Sequence, residues 1–127
     1  MPFRALLAEL VANAPGARGA IFCDYEGENV DLAVADPQPP RCGPLSVYDL
    51  KVCGAQFAAV WLLLQERNQT QGAGSLCELR VRAEHGTLLC RSVKDGYYVT
   101  LLLSPSSSAT GAGLSLARIA LRFADEM

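Results

Sequence analysis

Residues 76–103 read LCELRVRAEHGTLLCRSVKDGYYVTLLL, and they leave the fold little freedom. Cys77, Leu79 and Val81 alternate with Glu78, Arg80 and Arg82, the period of a strand with one apolar side. The spacing predicts strands at 76–81, 87–93 and 97–103, separated by Glu84-His85-Gly86 and by Asp95-Gly96, a favoured two-residue hairpin turn. Turns this short join antiparallel neighbours only, because a parallel crossover needs a dozen residues or more. The segment is a three-strand meander.

A second hairpin lies upstream, in GARGAIFCDYEGENVDLAV at 16–34. Residues 18–24 are mostly apolar and read as a strand buried on both faces. Residues 29–35 alternate, with Val30, Leu32 and Val34 on one side and Asn29, Asp31 and Ala33 on the other. Tyr25, Glu26, Gly27 and Glu28 make the turn, with Gly27 supplying a positive φ. Phe3, Leu6, Leu7, Leu10 and Val11 form one helical stripe, so 3–14 is a helix that Pro15-Gly16 ends. Four prolines in DPQPPRCGP at 36–44 exclude regular structure there. Ser46 and Asp49 resemble a capping box, and a long helix is expected over 47–67. Val47, Leu50, Gly54, Phe57, Trp61 and Leu64 make its main stripe, while Val52, Ala55, Ala59, Leu62 and Leu63 fill much of the rest. A helix apolar nearly all round must be covered twice, here by a sheet and by a second subunit. A Ser/Gly loop leads to a last helix over 113–124. The order α-β-β-α-β-β-β-α gives an α+β sandwich, a five-stranded antiparallel sheet covered by helices, and one domain over 1–127.

Composition narrows the function. Half the residues are hydrophobic, 19% are charged and the net charge is -2, which gives no pull toward nucleic acid or anionic lipid. The N-terminal MPFRALLAEL is no signal peptide and the most apolar window, 57–64, is too short to span a bilayer, so the chain is expected in the cytoplasm. Five cysteines cannot all pair within the chain. Cys23, Cys53, Cys77 and Cys90 sit in apolar surroundings and read as buried hydrophobes; Cys42, in PPRCGP, reads as exposed.

No constellation carries catalysis. His85 is the single histidine, in a turn, with no cysteine at metal spacing. GAGLSL opens the last helix but places Leu116 where a third phosphate-loop glycine would stand. The serines have no nucleophile elbow. No metal or cofactor is called for. Arg80, Arg82, Arg91 and Lys94 cluster on the meander and suit a partner surface or a solvated face. Glu26, Glu28, Asp31 and Asp36 make an acidic hairpin end that reads as a solvated tip or a contact for a basic partner.

Taken in order, APGARGAIFCDYEGENV, GSLCELRVRAEHGTLLCRSVKDGYYVTLLL and GAGLSLARIALRFADEM resemble the opening hairpin, meander and closing helix of the roadblock / dynein light chain superfamily. Among bacterial members the chain is similar to the MglB/MglC type, regulators of a small Ras-like GTPase that sets cell polarity. MPFRALLAEL and YDLKVCGAQFAAVWLLLQ, with an end at the third helix, are closer to the MglC-like adaptor than to the MglB-like GTPase-activating protein. The resemblance implies a homodimer, with the third strand pairing with its copy and the second helix packing on its mate. Phe57, Trp61, Leu64, Cys77, Leu79, Arg80, Val81 and Arg82 are then the expected interface. It further implies a non-enzymatic adaptor that binds a roadblock-family protein or a Ras-like GTPase complex in polarity or motility control, GTPase activation being the alternative.

Overall fold

A computed structural model describes residues 2–35, 47–105 and 109–127. The stripe of Leu6, Leu7, Leu10 and Val11 is buried along α1 (Pro2–Asn13). The helix closes with Ala14 N donating to Leu10 O, and Gly16 then takes φ 77° to turn the chain into β1 (Ala17–Cys23). β1 is buried on both faces, as its composition requires.

The turn into β2 (Asn29–Val34) is built around one carboxylate. Asp24 Oδ1 accepts from Glu26 N at 2.9 Å and Glu28 N at 3.0 Å, while Gly27 sits at φ 84°. The cysteine, acids and glycine of this stretch are therefore a strand end and its turn. Beyond it, the proline-rich 36–44, Cys42 and the Ser46 cap lie outside the described residues.

α2 (Val47–Thr70) runs three residues past its expected end. The meander follows as β3 (Glu78–Ala83), β4 (Gly86–Ser92) and β5 (Tyr98–Leu103). β3 starts two residues later than the alternation suggests. Asp95 and Gly96 both hold positive φ, at 54° and 83°, and Tyr97 N donates to Lys94 O, a two-residue turn whose twist suits a hairpin. α3 (Ala109–Glu126) begins four residues before the expected 113, so GAGLSL lies inside the helix and not before it. Glycine's poor helix propensity suggested a loop, but the burial of Ala112 and Gly113 in α3 overrides it.

The sheet order is β2-β1-β5-β4-β3, antiparallel throughout. α1 and α3 cover one face, where Phe22, Leu89, Val99, Leu101 and Leu103 meet Leu7, Leu10, Leu116 and Phe123. α2 covers the other, over Ile21, Cys23, Cys90 and Tyr98. No helix among the described residues is long and apolar enough to cross a membrane.

Candidate partner interface

α2 approaches the β1–β2 half of the sheet most closely. Gly54 permits this, since a Cβ there would lie 2.5 Å from Ile21 Cδ1. Trp61 is 2% exposed and stacks on Tyr98, with ring centroids 4.9 Å apart. Its place is the core under α2, so it is not on the free surface; the apolar stripe that suggested an interface is the stripe that seats the helix. Phe57 and Leu64 flank it, each half-buried.

The opposite side of α2 has no cover among the described residues. Val52 (39% exposed), Val60 (42%) and Leu63 (54%) face outward with Ala55 and Ala59. Val52, Ala59 and Leu63, at i, i+7 and i+11, form one line along the helix, and Ala55 and Val60 flank it. None of these was among the residues singled out from sequence for the interface. The signal was there: a helix apolar nearly all round exposes whatever lies opposite the residues that seat it.

β3 is an edge of the sheet. Leu79 and Val81 are half-buried on the α2 side, opposite Cys90 and Leu88 of β4. Leu79 packs against the Trp61 cluster. Glu78, Arg80 and Arg82 point to the α3 side. Arg80 Nε lies 3.1 Å from Glu78 Oε1, and its guanidinium rests on Gly113. Arg82 is exposed and has no ion-pair partner among the described residues. Arg91 stands across from Glu78, while Lys94 lies beyond, in the β4–β5 turn. The expected interface residues therefore divide: Leu79 joins Trp61 on one face, and the arginines share the other.

Ser92 N donates to Cys77 O at 2.9 Å. With Glu78 opposite Arg91, this fixes the ladder's phase. The backbone groups of Cys77, Leu79, Val81 and Ala83 turn toward β4. Those of Glu78, Arg80 and Arg82 turn to the open edge.

Cys77 is exposed, contrary to its apolar reading, because it precedes β3 at this edge; its thiol lies 3.7 Å from Ser75 O. Cys23 and Cys90 are buried, and burial pushes both thiols up to about 11. Cys53 is raised by the same cause. Protonated thiols of this kind are poor nucleophiles. The Tyr98 hydroxyl is buried beside the Cys23 thiol, in a contact too loose to count as a hydrogen bond, and its ionisation is driven up by burial.

Asp31 does not belong to the acidic hairpin end. It is 7% exposed, and Arg4 Nε and Nη2 donate to its Oδ1 at 2.9 and 2.7 Å. The register of β2 sends Asp31 and Ala33 toward α1, where only a paired carboxylate is tolerated. Glu26 and Glu28 remain at the exposed tip, and Asp36 lies outside the described residues. His85 is exposed beside Glu84. The described residues contain no group of three or more His, Cys, Asp or Glu placed to hold a metal.

No family model matches the sequence. No curated protein matches it either. Solved structures do. A Roadblock/LC7 domain from Streptomyces avermitilis is similar with a TM-score of 0.79 at 15% identity, covering 97% of this chain and 95% of that one. MglB of Myxococcus xanthus is similar with a TM-score of 0.82 at 12% identity, covering 99% and 94%. MglC of Myxococcus xanthus is similar with a TM-score of 0.73 at 21% identity, over the full length of both. The chain has the roadblock/LC7 fold.

Proposed function

We propose that this roadblock-fold chain is a non-enzymatic adaptor, a homodimer that binds a roadblock-family protein or a small Ras-like GTPase complex in bacterial polarity or motility control. One observation carries the reading: an unpaired strand edge, β3, in a sheet whose overlying helix leaves an apolar line uncovered. Open edges and apolar helix faces are both liabilities in a monomer. Covering Val52, Val60 and Leu63 on each of two chains is worth about 1 kcal/mol a side chain, and strand pairing adds to it against the cost of association. The likeness to MglB and MglC supports this partner class. Regulation of this kind needs a large recognition surface and no reactive group.

Size exclusion with light scattering tests the dimer, and a monomer at high concentration would end the interface reading. Pull-downs with purified roadblock-family and small Ras-like GTPase proteins test the partner class. Binding without faster GTP hydrolysis is the expected result. Faster hydrolysis would make the chain a GTPase-activating protein.

A further inference from the structure

We infer that β3 selects a second copy of this chain in a single register, in which facing residue numbers sum to 160 and Glu78 stands opposite the partner's Arg82. The inference rests on the dimer reading above and gives it a specific code.

Two identical edges related by a two-fold axis pair antiparallel. Only Glu78, Arg80 and Arg82 turn their backbone groups outward, so these must face one another and the sum of facing numbers is even. The same condition puts Leu79 and Val81 of both chains on one side, apolar against apolar. Few even sums keep the strands overlapped. At 162, Arg80 faces the partner's Arg82 and Glu78 faces the partner's Glu84, so every charged pair repels. At 158, β3 overlaps only over 78–80, and Arg82 faces the partner's Leu76, outside the strand. At 164 the strands meet only near their ends, with Arg82 facing its own copy.

At 160 the overlap covers 78–82. Glu78 faces the partner's Arg82 twice, and Leu79 faces the partner's Val81 twice. Arg82 thereby gains the carboxylate it has not found among the described residues. The one like pair is Arg80 with its copy, and each Arg80 is held by its own Glu78 and drawn back against Gly113 of α3. A copy with the same sequence satisfies this pattern, and a strand lacking the Glu-x-x-x-Arg spacing does not.

Leu79 and the partner's Val81 form a non-hydrogen-bonded pair, whose Cα separation of about 4.5 Å suits a disulfide. In a Cys42→Ser, Cys77→Ser background, mild copper-catalysed air oxidation should cross-link the Leu79→Cys, Val81→Cys double variant and neither single variant. Cross-linking of Leu79→Cys alone means 158, and of Val81→Cys alone means 162; either overturns the register. Light scattering on the same samples separates the two readings. A dimer without cross-links sinks the register alone, whereas a monomer sinks the dimer itself. Glu78→Arg and Arg82→Glu should each weaken the dimer by about tenfold, and the double exchange should restore it. Rescue of Glu78→Arg by Arg80→Glu instead would also overturn the assignment.

Discussion

Phe22 and Cys23 are neighbours in β1 and look to opposite faces of the sheet. Phe22 sits among Phe3, Tyr97 and Phe123, with ring centroids 4.9, 5.5 and 4.7 Å away. Two helices close over it. Cys23 lies under α2 alone, beside a Tyr98 hydroxyl without a hydrogen bond among the described residues. Four aromatic rings, Phe3, Phe22, Tyr97 and Phe123, gather on the first face, while on the second the Trp61–Tyr98 stack sits among smaller groups. The difference separates the two tasks of the fold. The α1–α3 face holds most of the core, while α2 carries the apolar line proposed to meet a second copy; Leu114 and Leu121 on the outside of α3 are exposed as well.

The largest effects should break this contrast if it is wrong. Phe22→Ala opens a cavity enclosed on all sides and should cost about 4 kcal/mol in urea unfolding. Trp61→Ala should cost about 3 kcal/mol, because a single covering helix can settle into the space. An equal or larger loss at Trp61 would mean that the α2 face is as tightly built as the other.

Alkaline pH probes the α2 face through its buried thiols. Unfolded thiols ionise near the ordinary 9.0, and buried Cys23 and Cys90 near 11. Between those values the folded chain keeps protons that the unfolded chain has released. Stability is therefore full below pH 9 and falls as pH rises through the window, by about 2 kcal/mol for each thiol at about pH 10.5. Denaturant melts at pH 8 and about pH 10.5 should show the loss. A Cys23→Val, Cys90→Val variant should lose less, with the raised Cys53, Tyr98 and Tyr25 left to contribute. An unchanged pH slope in that variant would place the sensitivity elsewhere.

Much of this contrast was legible in the chain. Turn chemistry announced the β1–β2 and β4–β5 hairpins, because Gly27 and Asp95-Gly96 occupy backbone conformations few other residues accept. Period-2 alternation assigned β2 and β3, and the excess of apolar residues on α2 announced an uncovered side. What alternation cannot give is which face a helix covers. Trp61 and Leu63 are equally apolar, yet one is stacked on Tyr98 and the other faces outward. Asp31 was misread for the same reason: its partner Arg4 lies 27 residues away in sequence. Residues 109–112 were read as loop because what holds them in α3, the burial of Ala112 and Gly113 against the core, comes from other elements.

Gly54 tests how α2 is seated, with a smaller effect. Gly54→Ala gains about 1 kcal/mol of helix propensity and loses about 1–3 kcal/mol to overpacking against Ile21. The net change should be a loss of about 1 kcal/mol. Ile21→Val removes the Cδ1 that the new methyl meets, so the double variant should be more stable than the sum of the two singles by about 1 kcal/mol. Strict additivity would mean that α2 has lifted away and that Gly54 no longer marks the contact.

The smallest effect compares two exposed leucines, Leu63 on α2 and Leu121 on α3, which are 54% and 71% exposed. Neither supports the fold of one chain, so Leu63→Ser and Leu121→Ser should each change the stability of the dilute protein by less than about 0.5 kcal/mol. They should part company in assembly. Leu63 lies on the apolar line proposed to be covered by a second copy, and its loss should shift the light-scattering dimer toward monomer at a given concentration. Leu121 lies on the helix that completes the other face, and its loss should leave the dimer as it was. If Leu121→Ser dissolves the dimer and Leu63→Ser does not, the association surface lies on α3, and the division of labour between the two faces is reversed.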